Sequence, residues 1–227
     1  MLPLRLAVFL AAYVALFAVL LFVPAGTLDW VDAWVLLAAL LILRGVATFS
    51  AWRLNPALLA ERTGVPLRKG QPALDRVLLA SFMASFAAQV AFCSVDVWHL
   101  RLLPAPVFPL RMAGLALFMA GWWAAGQVLR DNAFAVTTVR HQAEREHRVV
   151  DTGTYAVVRH PMYASMIPVM VGMGIWLGST AGALAAAIPM AILAARIVLE
   201  ERFLRTHLEG YADYATRVRW RLVPGVW

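Results

Sequence analysis

The sequence contains 227 residues, of which 62% are hydrophobic, and its mean hydropathy is +0.73. Because soluble domains are only about half apolar, this composition excludes an ordinary soluble protein and indicates a single polytopic membrane domain. The formal net charge of +7 comes almost entirely from arginines between apolar runs, which fits membrane topology and anionic lipid headgroups better than a nucleic-acid partner.

Six apolar runs are long enough, or nearly long enough, to cross a bilayer as helices. In chain order they are residues 6–23, 31–52, 77–95, 110–129, 162–177 and 182–199. The first run is longer than the apolar core of a signal peptide, so we expect a retained span. Asn55 and Pro56 combine a helix cap with a first-turn proline, which predicts a short interfacial helix. We therefore predict an all-α transmembrane bundle of about five or six spans.

We predict one integral membrane domain, residues 1–227, with two parts. Four spans occupy residues 1–129, and residues 130–227 contain a long polar stretch, two further spans and a charged amphipathic tail. The sequence G-S-T-A-G between the last two spans is typical of a tight turn and predicts a helical hairpin. In the tail, Tyr211 and Tyr214 are interpreted as packing and interface residues. No internal repeat is visible, which weighs against a two-fold transporter.

Basic residues are distributed unevenly among the connecting segments. The basic segments are 53–76, 130–160 and 196–221, and the acidic, near-neutral or uncharged segments are 24–32, 96–109 and 178–182. The two sets alternate along the chain, so the positive-inside rule predicts both termini and all basic segments on the cytoplasmic face. Both ends of the C-terminal hairpin then lie on the same side of the membrane. The polar segments that flank the hairpin are therefore expected to meet.

Two polar clusters lie in those flanking segments. The first is the segment 149–163, V-V-D-T-G-T-Y-A-V-V-R-H-P-M-Y, and the second is the segment 196–202, R-I-V-L-E-E-R. Ionisable groups at a membrane boundary cost free energy, so such clusters are candidate functional sites. Taken singly, they are also explained as a basic helix start and an Arg196–Glu200 intrahelical ion pair, with Glu201 solvated. Their joint occurrence and the topology indicate a cofactor site where they meet.

The order of these motifs resembles that of a known superfamily. H-R-V-V-D-T-G-T-Y-A-V-V-R-H-P-M-Y is followed by an apolar hairpin and then by E-E-R-F-L…G-Y-A-D-Y-A-T-R-V. This pattern is similar to that of the isoprenylcysteine carboxyl methyltransferases and phospholipid N-methyltransferases, which are integral membrane enzymes, and N-P-A-L-L-A-E-R at 55–62 matches their bacterial members. The resemblance implies S-adenosyl-L-methionine as cofactor, in a pocket open to cytosol and bilayer. With the Ala- and Arg-rich composition, it favours a bacterial inner-membrane protein.

By motif, the resemblance assigns cofactor contacts to residues of both polar clusters and of the stretch before them. These residues are Arg140, His147, Arg148, Val149, Val150, Tyr155, His160, Pro161, Met162, Tyr163 and Glu200. Arg140 stands where the eukaryotic members tend to have glutamine. Arg196 matches an arginine that holds the substrate in the prenylcysteine enzymes, and we expect Arg159 and Arg196 to be catalytic. Arg217 is a further expected substrate contact.

The residue types suit this cofactor, which carries a sulfonium, an ammonium group and a carboxylate. Glu200 can neutralise the cationic side or bind the ribose hydroxyls, and Tyr155 and Tyr163 offer aromatic faces to the sulfonium or the adenine. His160 and the N–H groups at the start of the following helix can bind the carboxylate or the adenine. No metal is expected, because methyl transfer needs none and the single cysteine, Cys93, excludes a cysteine-rich metal site.

The methyl acceptor is expected to be lipophilic, either an isoprenylcysteine-type carboxylate or a lipid amine, next to membrane lipids. A carboxylate is ionised at neutral pH, whereas an amine must first lose a proton, for which His147, His160 and Glu201 are base candidates. Two other functions stay open. A membrane lipid or sterol reductase of similar architecture would bind NADPH, and a non-enzymatic membrane protein would bind no cofactor and tolerate Glu200→Gln.

Overall fold

The structure is a computed structural model that describes residues 2–62, 71–136 and 148–227. Within these ranges it contains α-helices with short π-helical and 3₁₀ turns and no β-strand, so the predicted all-α fold class is confirmed. The helices are α1 (Leu2–Ala25), α2 (Val31–Leu54), α3 (Pro56–Arg62), α4 (Ala73–Val95), α5 (Phe108–Asp131), α6 (Pro161–Leu177), α7 (Thr180–Ala185), α8 (Ala187–His207) and α9 (Tyr211–Arg217). The π-helical turn Asp96–Leu100 continues α4, and the 3₁₀ turn Gly153–Ala156 precedes α6.

Several helices have the length and apolar composition of membrane spans. In the described part of the chain, five segments qualify: Leu4–Ala25, Val31–Leu54, Ala73–Leu100, Phe108–Asp131 and Thr180–His207. Helix α6 is apolar but shorter, with 17 residues. The chain is therefore an integral membrane protein, and the predicted bundle of about five or six spans is confirmed.

Two helices differ from the predicted runs in ways that affect the polar clusters. The predicted run 182–199 is divided between α7 and α8, ahead of Pro189, which has no N–H to donate to a continuous helix. Helix α8 then continues to His207, so Glu200 and Glu201 belong to the same helix as the last apolar run and not to a separate amphipathic tail. The helix continues beyond the apolar run because Glu200 and Glu201 have hydrogen-bond partners on other parts of the chain.

Glycines allow α5 and α6 to pack closely along their length. A Cβ atom on Gly121 would lie 2.7 Å from Ser165 O, and one on Gly172 would lie 2.5 Å from Gly114 O. These distances leave no room for a side chain, as is typical of closely packed helices in membranes. The second half of α5 is therefore held against the first half of α6, which begins with the polar motif.

Apolar clusters tie the N-terminal helices to this pair. The larger cluster includes the fully buried Leu36, Phe118 and Met173, which belong to α2, α5 and α6. A smaller cluster joins Leu58 of α3 to Leu129 near the end of α5. Met162 at the start of α6 packs against this smaller cluster, so α3 is held near the start of α6 by van der Waals packing.

The turn between α6 and α7 lies where it is predicted. Gly178 ends α6 with φ at 94°, a left-handed conformation that favours glycine. Ser179 caps α7, because its hydroxyl accepts from Gly182 N at 2.7 Å and donates to Asp96 Oδ2 at 2.6 Å. The buried Asp96 also accepts from Leu102 N at 2.9 Å. The hairpin turn and the connection between α4 and α5 are thus fixed together.

Candidate functional site

The R-H-P motif starts α6 at the place where the C-terminal tail returns to the bundle. Arg159 N donates to Trp220 O at 2.9 Å, and His160 N donates to Arg221 O at 3.0 Å. Pro161 is the first residue of α6, a position where the missing N–H has no helical acceptor. The two polar segments that flank the hairpin therefore lie next to each other.

Glu201 is the centre of a buried ion cluster. Arg159 Nε donates to Glu201 Oε1 at 2.6 Å, and Arg221 Nε donates to Glu201 Oε2 at 3.0 Å. His160 Nε2 lies 3.3 Å from Glu201 Oε1. The expectation that Glu201 is solvated is wrong: the residue is only 3% exposed, because donors from α6 and from the tail surround its carboxylate.

The guanidinium of Arg159 also binds the main chain of the tail. Its Nη1 donates to Val218 O at 2.7 Å and to Arg219 O at 2.8 Å. Together with the Glu201 contact, these bonds connect the start of α6, α8 and the segment after α9. The physical effect of Arg159 is thus to hold three parts of the chain in one arrangement.

A second polar network lies on the other side of Tyr163. Tyr163 Oη donates to Glu200 Oε2 at 2.7 Å. Arg196 Nε donates to Asp75 Oδ1 at 2.8 Å, and its guanidinium carbon lies 5.7 Å from the centre of the Tyr163 ring. The side chains of Arg196 and Asp75 are 4% and 0% exposed, respectively. The ion pair that the structure shows for Arg196 therefore joins α8 to α4, across 121 residues of sequence.

A cavity opens between these networks. In the described part of the chain its volume is about 120 Å³, which is below the roughly 300–1,000 Å³ of typical ligand sites, and the cavity is open at its mouth. Its walls come from α3, the segment after α5, the segment before α6, the first turn of α6, α8 and α9. The lining residues are Arg62, Asn132, Phe134, Ala135, Val136, Arg148, Val149, Val150, Tyr155, Arg159, His160, Met162, Tyr163, Glu200, Leu204, Leu208, Tyr211 and Tyr214.

The residues predicted to contact a cofactor converge on this cavity. All of those within the described ranges line it except Pro161, which is buried at the start of α6. Arg140 and His147 lie outside the described residues. Residues predicted from two separate motifs, one before the hairpin and one after it, thus share one space.

The residues predicted for catalysis and substrate binding occupy different places. Arg159 lines the cavity, although its Nε and Nη1 are bound to the protein. Arg196 contacts the ring of Tyr163 and is not among the described lining residues. Arg217 lies outside the lining as well: its side chain is 64% exposed and pairs with Asp151 at 2.7 Å.

Sequence reasoning missed part of the cavity wall. The missed lining residues are Arg62, Asn132, Phe134, Ala135, Val136, Leu204, Leu208, Tyr211 and Tyr214. Tyr211 and Tyr214 do pack in an apolar cluster, as predicted, but both also face the cavity. Tyr214 Oη donates to Tyr155 O at 2.8 Å. The available signal for Arg62 was its position at the end of the N-P-A-L-L-A-E-R stretch.

The cavity combines a cation, neutral phenols and a carboxylate. Arg62 Nη1 donates to Ala135 O at 2.5 Å. Burial, and then the charge of Arg44, lower the pKa of Arg62 to about 10, so its guanidinium is still charged at neutral pH. Burial raises the pKa of Tyr155, so its phenol stays neutral. Glu200 supplies the carboxylate.

One polar atom of the wall is left without a partner. The Tyr211 hydroxyl is buried, and among the described residues it has no hydrogen-bond partner. An unsatisfied buried hydroxyl costs about 1–3 kcal/mol, so its presence in a cavity wall points to a polar ligand group. No group of three or more His, Cys, Asp or Glu side chains that would suit a metal ion occurs within the described ranges.

These features define a class of protein: a polytopic membrane bundle with a polar cavity between its C-terminal hairpin, its tail and α3. The phospholipid methyltransferase family matches residues 110–210 of the chain. Protein-S-isoprenylcysteine O-methyltransferase B of Arabidopsis thaliana is 28% identical over 114 residues, which cover 43% of this chain and 58% of that protein. The chain thus matches little more than half the length of this relative.

A solved structure extends the comparison to nearly the whole fold. The eukaryotic intramembrane Ras methyltransferase, isoprenylcysteine carboxyl methyltransferase, superposes with a TM-score of 0.54 at 17% identity, over 96% of this chain and 75% of that one. At this identity the likeness concerns the fold. Together, the comparisons confirm the predicted resemblance to the superfamily of isoprenylcysteine carboxyl methyltransferases and phospholipid methyltransferases.

Proposed function

We propose that the chain is an integral membrane methyltransferase that uses S-adenosyl-L-methionine to methylate a lipophilic acceptor. One observation carries the proposal: cofactor residues expected from two separate motifs line a single cavity. The orphaned hydroxyl of Tyr211 in the same wall fits a ligand that brings several polar groups. The positive-inside pattern supports a cavity that faces the cytoplasm of a bacterial cell, with the hairpin in the inner membrane.

The cavity wall suits the polar groups of this cofactor. Glu200 keeps a carboxylate oxygen beyond the one that Tyr163 binds, and this oxygen would accept from an ammonium or ribose hydroxyl group. Tyr155 and Tyr163 would hold the adenine or the sulfonium against their rings. His160 and the segment 148–150 complete the proposed contact surface. When bound, the cofactor supplies an electrophilic methyl group.

The other residues act on the geometry of this surface. Arg159, through Glu201, fixes the start of α6 against α8, and this sets the distance between His160 and Glu200. The guanidinium of Arg196 packs against the ring of Tyr163, and Asp75 neutralises the charge of Arg196. We therefore assign positioning roles to Arg159 and Arg196. Precise positioning is the main contribution a protein can make to a methyl transfer that needs no metal.

Cofactor binding tests the proposal directly. Calorimetric titration of the detergent-purified protein with S-adenosyl-L-methionine should show saturable binding, and Glu200→Gln should weaken it about tenfold or more, because a charge-assisted contact is lost. Glu209→Gln is the matched control, since Glu209 is exposed and its removal changes the net charge equally. Saturable binding of NADPH alone, or equal binding by wild type and Glu200→Gln, would contradict the proposal.

The acceptor needs a separate assay. A labelled methyl donor should transfer its label to lipophilic carboxylates or lipid amines presented with the protein in nanodiscs. Label in a lipid-extractable product that Glu200→Gln does not form would support the proposed reaction. Cofactor binding without transfer to any member of either acceptor class would contradict the proposed substrate range.

A further inference from the structure

Arg44 is an arginine inside a membrane span that lacks a carboxylate partner among the residues described. It lies ten residues before the end of α2 at Leu54, hence about 15 Å from that end. Its guanidinium carbon lies 4.8 Å from the ring centre of Tyr13 and 5.0 Å from that of Trp122. The two rings stabilise the cation through their faces, but a ring face satisfies none of the N–H donors fully.

Two donors at this place have no acceptor. Arg44 Nε and Trp122 Nε1 are both buried, and neither has a hydrogen-bond partner in the described part of the chain. Trp122 is only 5% exposed, so solvent does not satisfy its N–H either. Buried N–H donors in proteins nearly always have an acceptor. Two donors without acceptors, one of them on a cation, favour an anionic oxygen ligand.

The site formed by Arg44, Tyr13 and Trp122 lies next to the cavity and deeper in the bundle. Gly121, adjacent to Trp122, faces Ser165 of α6, since a Cβ on Gly121 would lie 2.7 Å from Ser165 O. Met162 lines the cavity, and Ser165 follows it by three residues, which is a distance of about 4.5 Å along the axis of α6. Arg44 and Trp122 are therefore expected about one helical turn beyond the cavity floor, towards the membrane interior.

The charges around the cavity differ in whether they are already neutralised. Arg159 is paired with Glu201, and Arg196 is paired with Asp75. Arg44 shows no such pairing within the described ranges. Arg62 lines the cavity, and the charge of Arg44 contributes to lowering its pKa. In a low-dielectric membrane interior, two cations attract an anion strongly and repel an ammonium group.

We propose that Arg44, with the N–H of Trp122, binds the anionic end of the lipophilic acceptor and selects acidic acceptors over basic ones. The proposal rests on the proposed methyltransferase function and names the charge of its substrate. Arg44, Tyr13 and Arg62 lie outside the matched region, residues 110–210, whereas Trp122 lies within it, so the charge of this site comes from the N-terminal helices. An acidic acceptor also needs no base to remove a proton.

Binding without a methyl donor tests the site. The protein is placed in phosphatidylcholine nanodiscs, and bound palmitate, hexadecyl phosphate, hexadecanol or hexadecylammonium is quantified by native mass spectrometry. Wild type should bind the two anions about tenfold more tightly than hexadecanol, and hexadecylammonium least. Arg44→Gln should abolish this preference, and Arg44→Lys should keep part of it. Arg53→Gln is the control, because Arg53 contacts the Phe49 ring on the same helix but is exposed.

Two results would overturn the proposal. One is unchanged anion preference in Arg44→Gln. The other is equal loss of palmitate and hexadecanol binding with a lowered unfolding midpoint, because this would mean that the arginine only holds α1, α2 and α5 together. If added phosphatidylglycerol displaces palmitate in wild type but has no effect on Arg44→Gln, the anion is a membrane lipid and the acceptor assignment is overturned.

The cofactor titration separates this inference from the proposed function. Arg44→Gln should leave the affinity for S-adenosyl-L-methionine unchanged, because the Arg44 site lies beyond the cofactor surface. If wild type binds no cofactor but Arg44-dependent palmitate binding persists, the proposed function fails and the anion site stands. If the cofactor binds normally and the anion preference is independent of Arg44, the anion site alone fails.

Discussion

The C-terminal wall, made by α6, α8 and the tail, lines the cavity and buries its arginines beside carboxylates. The N-terminal wall, made by α1, α2 and α5 beyond the cavity, holds Arg44 between aromatic rings. Arg159 and Arg196 lie within 2.8 Å of the carboxylate oxygens of Glu201 and Asp75. Arg44 lies 4.8 Å and 5.0 Å from two ring centres. The same side chain is thus used in two ways in one bundle.

The difference distinguishes arginines that are neutralised within the fold from an arginine whose charge can still bind a ligand. A buried ion pair with good geometry has little attraction left for a ligand, and its loss damages the fold. A cation held by aromatic rings keeps its charge and several donors for an incoming anion. Under the proposed function, the C-terminal wall would shape the cofactor surface, and the N-terminal wall would recognise the acceptor. Substitutions on each wall should therefore affect different measurements.

Glu201→Gln should give the largest effect. It leaves the buried guanidinium of Arg159 without its charge partner and should destabilise the protein by about 3–5 kcal/mol. Unfolding in a detergent titration measures this loss, with the exposed Glu209→Gln as the control. A stability change no larger than that of the control would mean that the C-terminal wall does not depend on this pair.

Asp75→Asn should weaken cofactor binding about tenfold, and it should also lower the stability, because it removes the charge partner of the buried Arg196 guanidinium. Without the Asp75 charge, Arg196 is expected to pair with Glu200, four residues further along α8, and this competes with the cofactor for the carboxylate. Calorimetric titration with S-adenosyl-L-methionine measures the change.

A second substitution shows whether this competition is the cause. Adding Arg196→Gln to Asp75→Asn removes the competing cation and should restore most of the affinity, provided that Tyr163 keeps its position. If the double variant binds no better than Asp75→Asn, Asp75 supports the site in another way.

Tyr163→Phe should reduce cofactor affinity several-fold, about three- to tenfold, because the hydrogen bond that orients Glu200 is lost while the ring remains. Tyr13→Phe is the matched control from the N-terminal wall, where the ring faces Arg44. It should leave cofactor affinity unchanged. Equal weakening of cofactor binding by both substitutions would contradict the assignment of separate roles to the two walls.

The sequence predicted well whatever depends on composition or on contiguous motifs. Hydropathy located the spans, and G-S-T-A-G located the hairpin turn that Gly178 and Ser179 form. The resemblance named Met162, Tyr163 and Glu200 of the C-terminal wall, because R-H-P-M-Y and E-E are short contiguous patterns, but it did not name the lining residues further along α8 and in the tail. These features follow from local residue order, which the sequence states directly.

The remaining features depend on partners far apart in sequence. Glu201 was expected to be solvated because no pattern within α8 reveals that Arg221 and Arg159 converge on it. The pairing of Asp75 with Arg196 was not predicted, because the two residues are 121 positions apart. In the sequence Arg44 is only an arginine within an apolar run. Its aromatic partners come from α1 and α5, and helix packing alone brings them together.

Trp122→Phe should give the smallest effect and the sharpest comparison of the two walls. The substitution keeps an aromatic ring for Arg44 and removes only the Nε1–H donor, which is worth about two- to fivefold in palmitate affinity. Binding of hexadecanol and of S-adenosyl-L-methionine should not change. Native mass spectrometry from nanodiscs measures the first two ligands, and calorimetry measures the third. Equal loss for palmitate and hexadecanol would mean that Trp122 only shapes an apolar surface, and the anion preference would then depend on Arg44 alone.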